Sequence, residues 1–248
     1  MPAQRWAVRA ALVTGVSRRR GIGFAIARRL LSDGYFVLTT GWSAHDAAQP
    51  WGADDKALVF DAPQGRHFHV EVDLTDPEAS QRVIDLAWKT FARLDALVAV
   101  HARSSMQSLP QLTAKELDLC WAINVRATLL LIRAFAEKHE TGSAGRVVLF
   151  TSGQHQNPMP DEIPYAVSKA AVHQMTATLA KALGGRGISV NTLNPGPTDT
   201  GWADPATYES VRKMMPLGRW NRPEDTAGVV ALLLSEDAAA INGQVINL

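Results

Sequence analysis

The architecture of this chain follows from residues 10–27, which read Ala10-Ala11-Leu12-Val13-Thr14-Gly15-Val16-Ser17-Arg18-Arg19-Arg20-Gly21-Ile22-Gly23-Phe24-Ala25-Ile26-Ala27. The apolar run Ala10–Val13 predicts a buried strand, and the apolar spacing after Gly23 predicts a helix. Glycines between the two elements let the backbone adopt positive φ and approach a phosphate closely. The following helix would offer its free N–H groups and positive dipole end to that anion. The stretch therefore predicts a dinucleotide-binding turn formed by Thr14, Gly15, Ser17, Arg18, Arg19, Arg20, Gly21, Ile22 and Gly23.

The rest of the chain alternates short β-rich runs with amphipathic helical stretches, and neither a linker nor an internal repeat divides it. Strands are predicted at Ala10–Val13, Tyr35–Thr39, His67–Val72, Ala96–Val100, Val147–Phe150, Ser189–Leu193 and Gln244–Asn247. Helices are predicted at Gly23–Leu31, Pro77–Phe91, Ala114–Glu137, Tyr165–Leu183 and Pro223–Leu233. This alternation predicts an α/β fold: a single Rossmann-type domain over residues 1–248, with a doubly wound parallel sheet of about seven strands and helices on both faces.

One segment, Gly41 to Arg66, breaks the alternation. A full helix is expected at this place in such a fold, but the segment is rich in Trp, Asp, Pro and Gly and shows no helical period. Loops of this length inside a compact domain are usually functional or mobile.

The composition excludes several classes of function. The net charge of +1 gives no reason to expect a nucleic acid or an anionic membrane as a partner. The single cysteine, Cys120, excludes an internal disulfide and a cysteine-based zinc site and is predicted to be a core residue. No run of about 18–20 apolar residues and no signal peptide is expected, so we predict a cytoplasmic protein without a metal site.

A second pattern, Tyr165-Ala166-Val167-Ser168-Lys169, points to chemistry. Residues four apart lie on one face of a helix. A tyrosine hydroxyl has an ordinary pKa of about 10, and a lysine cation beside it would lower that pKa towards neutrality. The pair of Tyr165 and Lys169 therefore predicts a proton-transfer group.

With these motifs, the chain resembles the short-chain dehydrogenase/reductase family along nearly its whole length. That family has a Thr-Gly-x-x-x-Gly-x-Gly turn and an Asn-Ser-Tyr-Lys catalytic set. Ser152, thirteen residues before Tyr165, matches the serine of that set, and Asn124 matches its asparagine. The segment that closes over the nicotinamide in the family is matched here by Pro195, Gly196, Thr198 and Thr200. The closing segments 216–219 and 242–246 resemble those of 3-oxoacyl carrier-protein reductases in the same family.

The resemblance implies an oxidoreductase that transfers hydride between a nicotinamide and a carbonyl or alcohol carbon. Tyr165 would be the general acid/base, and Ser152 would hydrogen-bond the reacting oxygen. Lys169 would hold the nicotinamide ribose and lower the pKa of Tyr165, while Asn124 would position a water that relays protons. The carboxylate of Asp73, with Leu74 beside it, would accept a hydrogen bond from the adenine amino group. The alternative is that Asp73 is an acid at the start of a helix.

Two departures from the family pattern stand out. Gly15 and Gly21 are separated by five residues instead of three, and the longer turn carries arginines. The family's Asn-Asn-Ala-Gly segment is replaced by Ala99-Val100-His101-Ala102. His101 is predicted to be a cofactor-binding residue of this segment. It either supplies some of the hydrogen bonds of the missing asparagines or is a satisfied histidine near the core.

The cofactor preference is predicted to be NADP, with NAD possible. No acid follows the second strand, where Gly41-Trp42-Ser43 stands, so nothing there repels a 2′-phosphate. Arg18, Arg19 or Arg20 could supply positive charge, and Trp42 could pack on the adenine. Asp46 is the residue that could reverse this preference.

The substrate is predicted to be a small carbonyl or alcohol compound that contacts Ser152, Gln154, His155, Tyr165 and Trp202. The alternatives are a catalytically silent NAD(P)-binding sensor or scaffold and an enoyl-thioester reductase, although the latter enzymes space tyrosine and lysine more widely. Apolar residues on more than one face of the helices at 114–137 and 165–183 predict a homodimer or homotetramer.

Overall fold

Parallel strands form one sheet in the computed structural model, which describes residues 9–54, 58–140 and 143–248. The described strands are β1 (Ala10–Thr14), β2 (Phe36–Gly41), β3 (His67–Glu71), β4 (Ala96–Ala99), β5 (Gly145–Phe150), β6 (Ile188–Asn194) and β7 (Val245–Asn247). They lie in the order β3-β2-β1-β4-β5-β6-β7, and each neighbouring pair is parallel. This doubly wound sheet confirms the predicted Rossmann-type fold class.

Helices cover both faces of the sheet. The described α-helices are α1 (Ile22–Ser32), α2 (Ser43–Ala47), α3 (Ala79–Phe91), α4 (Ala114–Cys120), α5 (Thr128–Lys138), α6 (Ile163–Gly184), α7 (Pro205–Met214) and α8 (Pro223–Leu234). Because successive strand residues face opposite sides, Val13 and Val98 pack with α1 and α8. Their neighbours Leu12 and Leu97 pack with α3, α5 and α6 on the other face. Both faces of the central strands are therefore apolar, as parallel sheets require.

The predicted helix Ala114–Glu137 changes its hydrogen-bond pattern midway. Between α4 and α5, residues Trp121–Ala127 form a π-helical stretch that contains Asn124. Such stretches are rare in proteins, and those that occur are often found at functional sites. The register of the helix therefore shifts where a candidate catalytic residue lies. Cys120, at the end of α4, is buried as predicted.

The segment from Gly41 to Arg66 differs from the expectation of an irregular loop. Its first turn forms the five-residue helix α2, and irregular backbone follows in the described residues up to β3. One helical turn is too short to produce a recognisable apolar period in the sequence.

The sheet order places the candidate site. The strand order reverses between β1 and β4, which lie side by side although two strands separate them along the chain. Ligands of open α/β sheets bind in the crevice beyond the carboxyl ends of the strands at such a point. Thr14 ends β1, and His101 follows β4, so both lie at this crevice.

One helical run in the described residues is long and apolar enough to cross a membrane by length and composition alone. It is the 25-residue run Ala114–Lys138, against the expectation that no such run exists. More than half of its most apolar window, 56%, is buried inside the fold. Core helices of soluble proteins pass the same test, and this run packs against α3 and α6.

Candidate active site

The turn after β1 packs so closely that its glycines leave no room for side chains. Gly15 has a φ of +73°, and a Cβ there would lie 2.6 Å from the backbone nitrogen of His101. A Cβ on Gly23 would lie 2.5 Å from the carbonyl oxygen of Gly15. Helix α1 begins at Ile22 after an extended Gly21, and no side chain caps its first N–H groups at that position. A turn with this geometry fits a dinucleotide, whose pyrophosphate would accept hydrogen bonds from those N–H groups.

His101 is fully enclosed behind this turn. Its Nδ1 lies 2.6 Å from Thr14 Oγ1, and its Nε2 lies 3.1 Å from the carbonyl oxygen of Ile123 and 3.3 Å from Thr128 Oγ1. Burial, with a smaller contribution from the charge of Lys169, lowers the pKa of His101 to about 3, so the ring is neutral. Both interpretations of His101 therefore apply, because it is a satisfied buried histidine that also braces the strands. A direct contact between His101 and the cofactor stays a prediction.

Helix α6 presents the proposed acid/base pair in its first turns. The Nζ atom of Lys169 lies 5.8 Å from the centroid of the Tyr165 ring. Ser152 follows β5, and its side chain lies near enough to Tyr165 to lower the pKa of the Tyr165 hydroxyl. Lys169 is buried and donates to the carbonyl oxygen of Phe150 at 2.8 Å. The fold thus brings Ser152, Tyr165 and Lys169 together from two separate elements.

The electrostatics of this pair correct one expectation. Burial raises the pKa of Tyr165 to about 12, although its hydrogen bond with Ser152 acts in the opposite direction. Burial also lowers the pKa of Lys169 to about 8. Desolvation of the phenol, not the lysine charge, dominates the Tyr165 hydroxyl. The pKa of Tyr165 is therefore raised in this arrangement, against the prediction that Lys169 brings it towards neutrality.

Asn124 lies buried in the π-helical stretch, and protein groups occupy most of its side chain. Its Oδ1 accepts from the backbone N–H of Arg103 at 2.7 Å, and its Nδ2 donates to the Arg103 carbonyl at 3.0 Å. The same Nδ2 donates to Ser168 Oγ at 2.8 Å, and Ser168 Oγ donates to the carbonyl oxygen of Tyr165 at 2.8 Å. Asn124 therefore joins the loop after β4 to helix α6.

The arginines of the longer turn reach the segment after β6. Arg18 donates to the carbonyl oxygen of Thr200 at 2.5 Å, and its guanidinium lies 5.5 Å from the Trp51 ring centroid. Arg20 forms an ion pair of 3.2 Å with Asp199. The backbone N–H of Arg19 donates to a carboxylate oxygen of Asp54 at 2.8 Å. The turn is thus tied both to the segment after β2 and to the segment after β6.

The region after β2, where the adenine ribose is expected, carries two acids. Trp42 precedes α2 and is 40% exposed, so its ring is accessible. Asp46 is buried and accepts from Trp51 Nε1 at 3.0 Å. Glu71, at the end of β3, accepts from the backbone N–H of Ser43 at 2.7 Å. Asp46 is the residue that the sequence pattern itself indicates as able to reverse the cofactor preference, whereas Glu71 comes from a different strand and its place depends on tertiary contacts.

Asp73 adopts a local turn. Its Oδ1 accepts from the backbone N–H of Thr75 at 2.8 Å and from the Thr75 hydroxyl at 2.7 Å, while the next residue, Leu74, is buried. One carboxylate oxygen is therefore committed to Thr75. The adenine contact of Asp73 stays a prediction that involves the other oxygen.

The segment after β6 is held by its own hydrogen bonds. Gly196 has a φ of +60°, and a Cβ there would lie 2.7 Å from the carbonyl oxygen of Leu248. Thr198 is buried and directs its hydroxyl to the carbonyl oxygens of Pro195 and Gly196, both at 3.2 Å. The fold therefore places Pro195, Gly196, Thr198 and Thr200 in one turn beside the phosphate-binding turn.

The residues predicted to contact substrate differ in their exposure and in their partners. Gln154 donates to Glu162 at 2.8 Å. His155 is exposed, and its Nδ1 lies 3.2 Å from the Ser152 carbonyl oxygen. Trp202 is 53% exposed and packs edge-on against Trp220 at 5.7 Å. Trp202 and His155 are accessible to a ligand, whereas the Gln154 amide is used inside the protein.

Sequence reasoning missed several residues that support the site. These are Ser168, which bridges Asn124 and Tyr165, Arg103 with its bidentate partner Glu116, and Trp220, which stacks on Tyr208. Ser168 could have been found from its spacing, since a small polar residue three positions after Tyr165 shares its helix face. The others depend on contacts between distant segments and leave no local signal.

Comparisons with known proteins bear on this geometry. A family model described as "Enoyl-(Acyl carrier protein) reductase" matches residues 15–248. The "uncharacterized oxidoreductase YjdA" of Bacillus subtilis is 33% identical over 239 residues, covering 96% of this chain and 94% of that relative. This chain belongs to the short-chain dehydrogenase/reductase family. The human "dehydrogenase/reductase SDR family member 4" is 34% identical over 233 residues, covering 91% of this chain and 81% of the human protein.

Solved structures of short-chain dehydrogenases/reductases agree. A dehydrogenase/reductase from Sinorhizobium meliloti superposes with a TM-score of 0.83 at 31% identity, covering 98% of this chain and 94% of that one. A short-chain dehydrogenase from Burkholderia cenocepacia, solved in complex with NADP, gives a TM-score of 0.82 at 32% identity, covering 97% and 96% of the two chains. The family consists of enzymes that bind a nicotinamide cofactor, and this chain is an oxidoreductase of that family.

Proposed function

We propose that this enzyme reduces a ketone or a 3-oxoacyl thioester with NADPH, and that residues 1–248 act as one cofactor-binding and catalytic domain. The observation that carries the proposal is the proximity of Ser152, Tyr165 and the buried Lys169, whose Nζ lies 5.8 Å from the centroid of the Tyr165 ring one helical turn earlier on α6. In this proposal Tyr165 is the proton donor, Ser152 is a second hydrogen-bond donor and Lys169 is the cation of the site. Such a set suits the reduction of a carbonyl carbon.

Tyr165 is the proton donor of the proposed reaction. When bound, the nicotinamide supplies the hydride. The pKa of Tyr165 is raised to about 12, so the phenol is protonated at neutral pH and can give its proton to the developing alkoxide. The Ser152 hydroxyl donates a hydrogen bond to the same oxygen, where negative charge develops.

Lys169 supports this step through its ammonium group. An ammonium group has three N–H donors, and one of them is committed to the carbonyl oxygen of Phe150. The other two are free to hold the ribose hydroxyls of a cofactor. Once Tyr165 has given up its proton, the nearby cation stabilises the phenolate.

In this proposal Asn124 is a positioning residue that holds other parts of the site in place. Family resemblance implies that it holds a water of a proton relay, and that role stays a prediction. Its two N–H donors already serve Arg103 and Ser168. The side chain therefore fixes the start of the catalytic helix relative to the loop after β4.

The substrate is proposed to lie between the Ser152–Tyr165 pair and the segment that carries Trp202. The exposed ring of Trp202 offers an apolar contact, and the exposed imidazole of His155 offers a polar one. Gln154 contributes by orienting Glu162 at the start of α6. This mixture suits a modest ketone or an acyl thioester.

The preference for NADPH is supported by two observations. The residues after β2, Gly41-Trp42-Ser43, include no acid, and Arg18 lies in the facing turn. The Burkholderia relative was solved with NADP. We expect kcat/KM to be higher with NADPH than with NADH, and a tenfold preference for NADH would overturn this part of the proposal.

The decisive test replaces Tyr165 with phenylalanine. Tyr165→Phe removes only the hydroxyl, so we expect NADPH to bind with the parental affinity while turnover on the best ketone of a panel falls by about 10²–10⁴-fold. NADPH fluorescence measures the first quantity and absorbance at 340 nm the second. Parental turnover by Tyr165→Phe would refute the proposal.

Two alternatives are distinguished by the same assay. The matching family model is described as an enoyl reductase, so crotonyl and acetoacetyl thioesters are compared as substrates. Reduction of only the crotonyl thioester would favour an enoyl-thioester reductase. Tight NADPH binding without oxidation by any compound of the panel would favour the sensor or scaffold.

We also propose that the enzyme is a cytoplasmic homodimer or homotetramer. Large apolar side chains are exposed on the π-helical stretch, α5 and α6, namely Trp121, Leu129 and Val167. Burial of these residues between copies would remove apolar surface from water. Sedimentation that shows only monomer at micromolar concentration would contradict the oligomer.

A further inference from the structure

His101 is the buried polar group that stands between the two halves of the site. One ring nitrogen faces Thr14, which ends β1 immediately before the phosphate-binding turn. The other faces the carbonyl oxygen of Ile123, the residue before Asn124 in the π-helical stretch. Since β1 and the π-helical stretch are far apart in sequence, the imidazole is a direct side-chain connection between them.

The hydrogen-bond partners fix the tautomer of His101. A carbonyl oxygen only accepts hydrogen bonds, so the nitrogen that faces Ile123 must carry the proton. Thr128 Oγ1, on the same side, donates to the Asn124 carbonyl at 2.9 Å and therefore also accepts from the histidine. The ring is then an Nε2–H imidazole whose Nδ1 accepts from the Thr14 hydroxyl at 2.6 Å. Both ring nitrogens are satisfied only in this form.

The contacts of His101 lead to both the cofactor and the acid/base groups. Its backbone nitrogen lies so close to Gly15 that a Cβ on that glycine would be 2.6 Å away. On the other side, Asn124 follows Ile123 and continues through Ser168 to the carbonyl oxygen of Tyr165, with bonds of 2.8 Å at each step. Displacement of the ring would thus move the turn relative to the residue that donates the proton.

We infer that His101, as the Nε2–H tautomer, is a positioning residue that fixes the phosphate-binding turn relative to the helix that carries Tyr165. The inference rests on the proposed function, since it concerns the geometry between cofactor and proton donor. Both ring nitrogens are bonded to protein atoms, so the role is one of positioning. A misplacement of about 1 Å at such a site can reduce the rate about 10²-fold.

Kinetics on His101→Leu test the positioning role. Leucine fills similar space but bonds neither Thr14 nor Ile123, so we expect kcat to fall about 10²-fold while the Kd for NADPH changes little. A histidine that serves only stability would lower Tm and leave kcat unchanged well below Tm. Parental kcat in a folded His101→Leu protein would overturn the inference.

Conservative variants keep the test informative if His101→Leu fails to fold. His101→Gln retains a donor for the Ile123 carbonyl, and His101→Asn retains an acceptor for Thr14, so each should recover part of kcat. Thr14→Val removes one bond with little change of shape. Its effect should be much smaller in the His101→Gln background, which keeps the bond to the Ile123 carbonyl but not the bond to Thr14. Full additivity of the two changes would overturn the inference.

A spectroscopic readout is independent of turnover. In protein labelled with ¹⁵N-histidine, the His101 ring should show a protonated Nε2 and an unprotonated Nδ1, and His101→Leu assigns the signal. A protonated Nδ1 would overturn the tautomer and with it the inference. If Tyr165→Phe were fully active while this signal was as expected, the proposed function would fail and the connection through His101 would stand.

Discussion

Two regions hold the first turn of this enzyme in place, and they do so by different physics. The buried wall, formed by Thr14, His101, Asn124, Ser168 and Lys169, is less than 9% exposed at every position. The charged rim, formed by Arg18, Arg20, Asp199 and Thr200, lies at the surface; the side chains of Arg20 and Asp199 are 68% and 36% exposed.

This difference predicts how each region responds to change. Hydrogen bonds in the wall have no competing water, so a lost partner leaves a buried polar group unpaired at a cost of about 1–3 kcal/mol. Ion pairs in the rim compete with water and salt and contribute about 0–1 kcal/mol. Substitutions in the wall should therefore change the geometry of the site and the activity. Substitutions in the rim should have only a small effect on the contact between the turn and the segments after β2 and β6.

The largest effect is expected from Gly23→Ala at the buried end of the turn. The added methyl group would lie 2.5 Å from the Gly15 carbonyl oxygen and 3.1 Å from Val16 Cγ2, and it cannot be accommodated without moving the backbone. We expect a loss of about 1–3 kcal/mol of unfolding free energy, as overpacking causes, and at least a tenfold weaker affinity for NADPH. Denaturant titration and NADPH fluorescence measure the two effects.

Gly185→Ala is the matched control for this prediction. No heavy atom lies within 4 Å of a Cβ at Gly185, whose φ is −64°. This change should alter stability by no more than about 1 kcal/mol and leave NADPH binding intact. Equal effects of the two alanines would contradict the contrast between tight and open positions.

An intermediate effect is expected from Lys169→Met, which removes the buried cation of the wall. The pKa of Lys169 is lowered from 10.5 to about 8, so the unfolded chain binds more protons than the folded enzyme between those pH values. Parental stability should therefore rise from pH 8 to pH 10.5 by about 1.4 kcal/mol for each unit of pKa shift at most. The methionine variant has no titrating group at this position, so its stability should lack this rise with pH. We also expect it to lose turnover.

Denaturant titrations at pH 7 and pH 10 check this prediction. The stability of Lys169→Met relative to the parent should be greater at pH 7 than at pH 10. Lys181→Met, which removes an exposed lysine from the same helix, provides the control. A stability difference between Lys169→Met and the parent that does not change with pH would show that burial does not lower the pKa of Lys169.

The smallest effect is expected in the rim, from Arg20→Ala and Asp199→Asn. The pair joins the turn to the segment after β6 at 3.2 Å, but both partners reach solvent. Breaking it should speed NADPH dissociation by no more than about fivefold at low salt, which corresponds to about 1 kcal/mol. Since 1 M salt reduces the Debye length to about 3 Å, the difference should vanish there.

Stopped-flow dissociation in 50 mM and 1 M salt measures this contribution. Arg29→Ala, which breaks the ion pair with Asp33 at the C-terminal end of α1, is the control and should leave the rate unchanged. A large and salt-independent change in Arg20→Ala would place the rim in the same class as the wall.

Local patterns were sufficient for much of the site. Tyr165 and Lys169 share a helix face because of the helical period, and Ser152 lies at the end of a strand that the apolar run 147–150 already predicts. The glycines of the first turn are required by positive φ or by close backbone approach, which are local constraints. The direction of the Tyr165 pKa could not be obtained in this way, because it depends on desolvation by residues from several segments.

Residue spacing within one or two elements is enough to predict the α/β alternation, the glycine-rich turn after β1 and the order of Ser152, Tyr165 and Lys169. The partners of His101, the bonds of Asn124 to Arg103 and Ser168, and the ion pair of Arg20 follow from the three-dimensional fold. It also decided that a π-helical stretch interrupts the run from 114 to 138. These features arise from contacts between residues distant in the chain, and their energies depend on burial that no local pattern records.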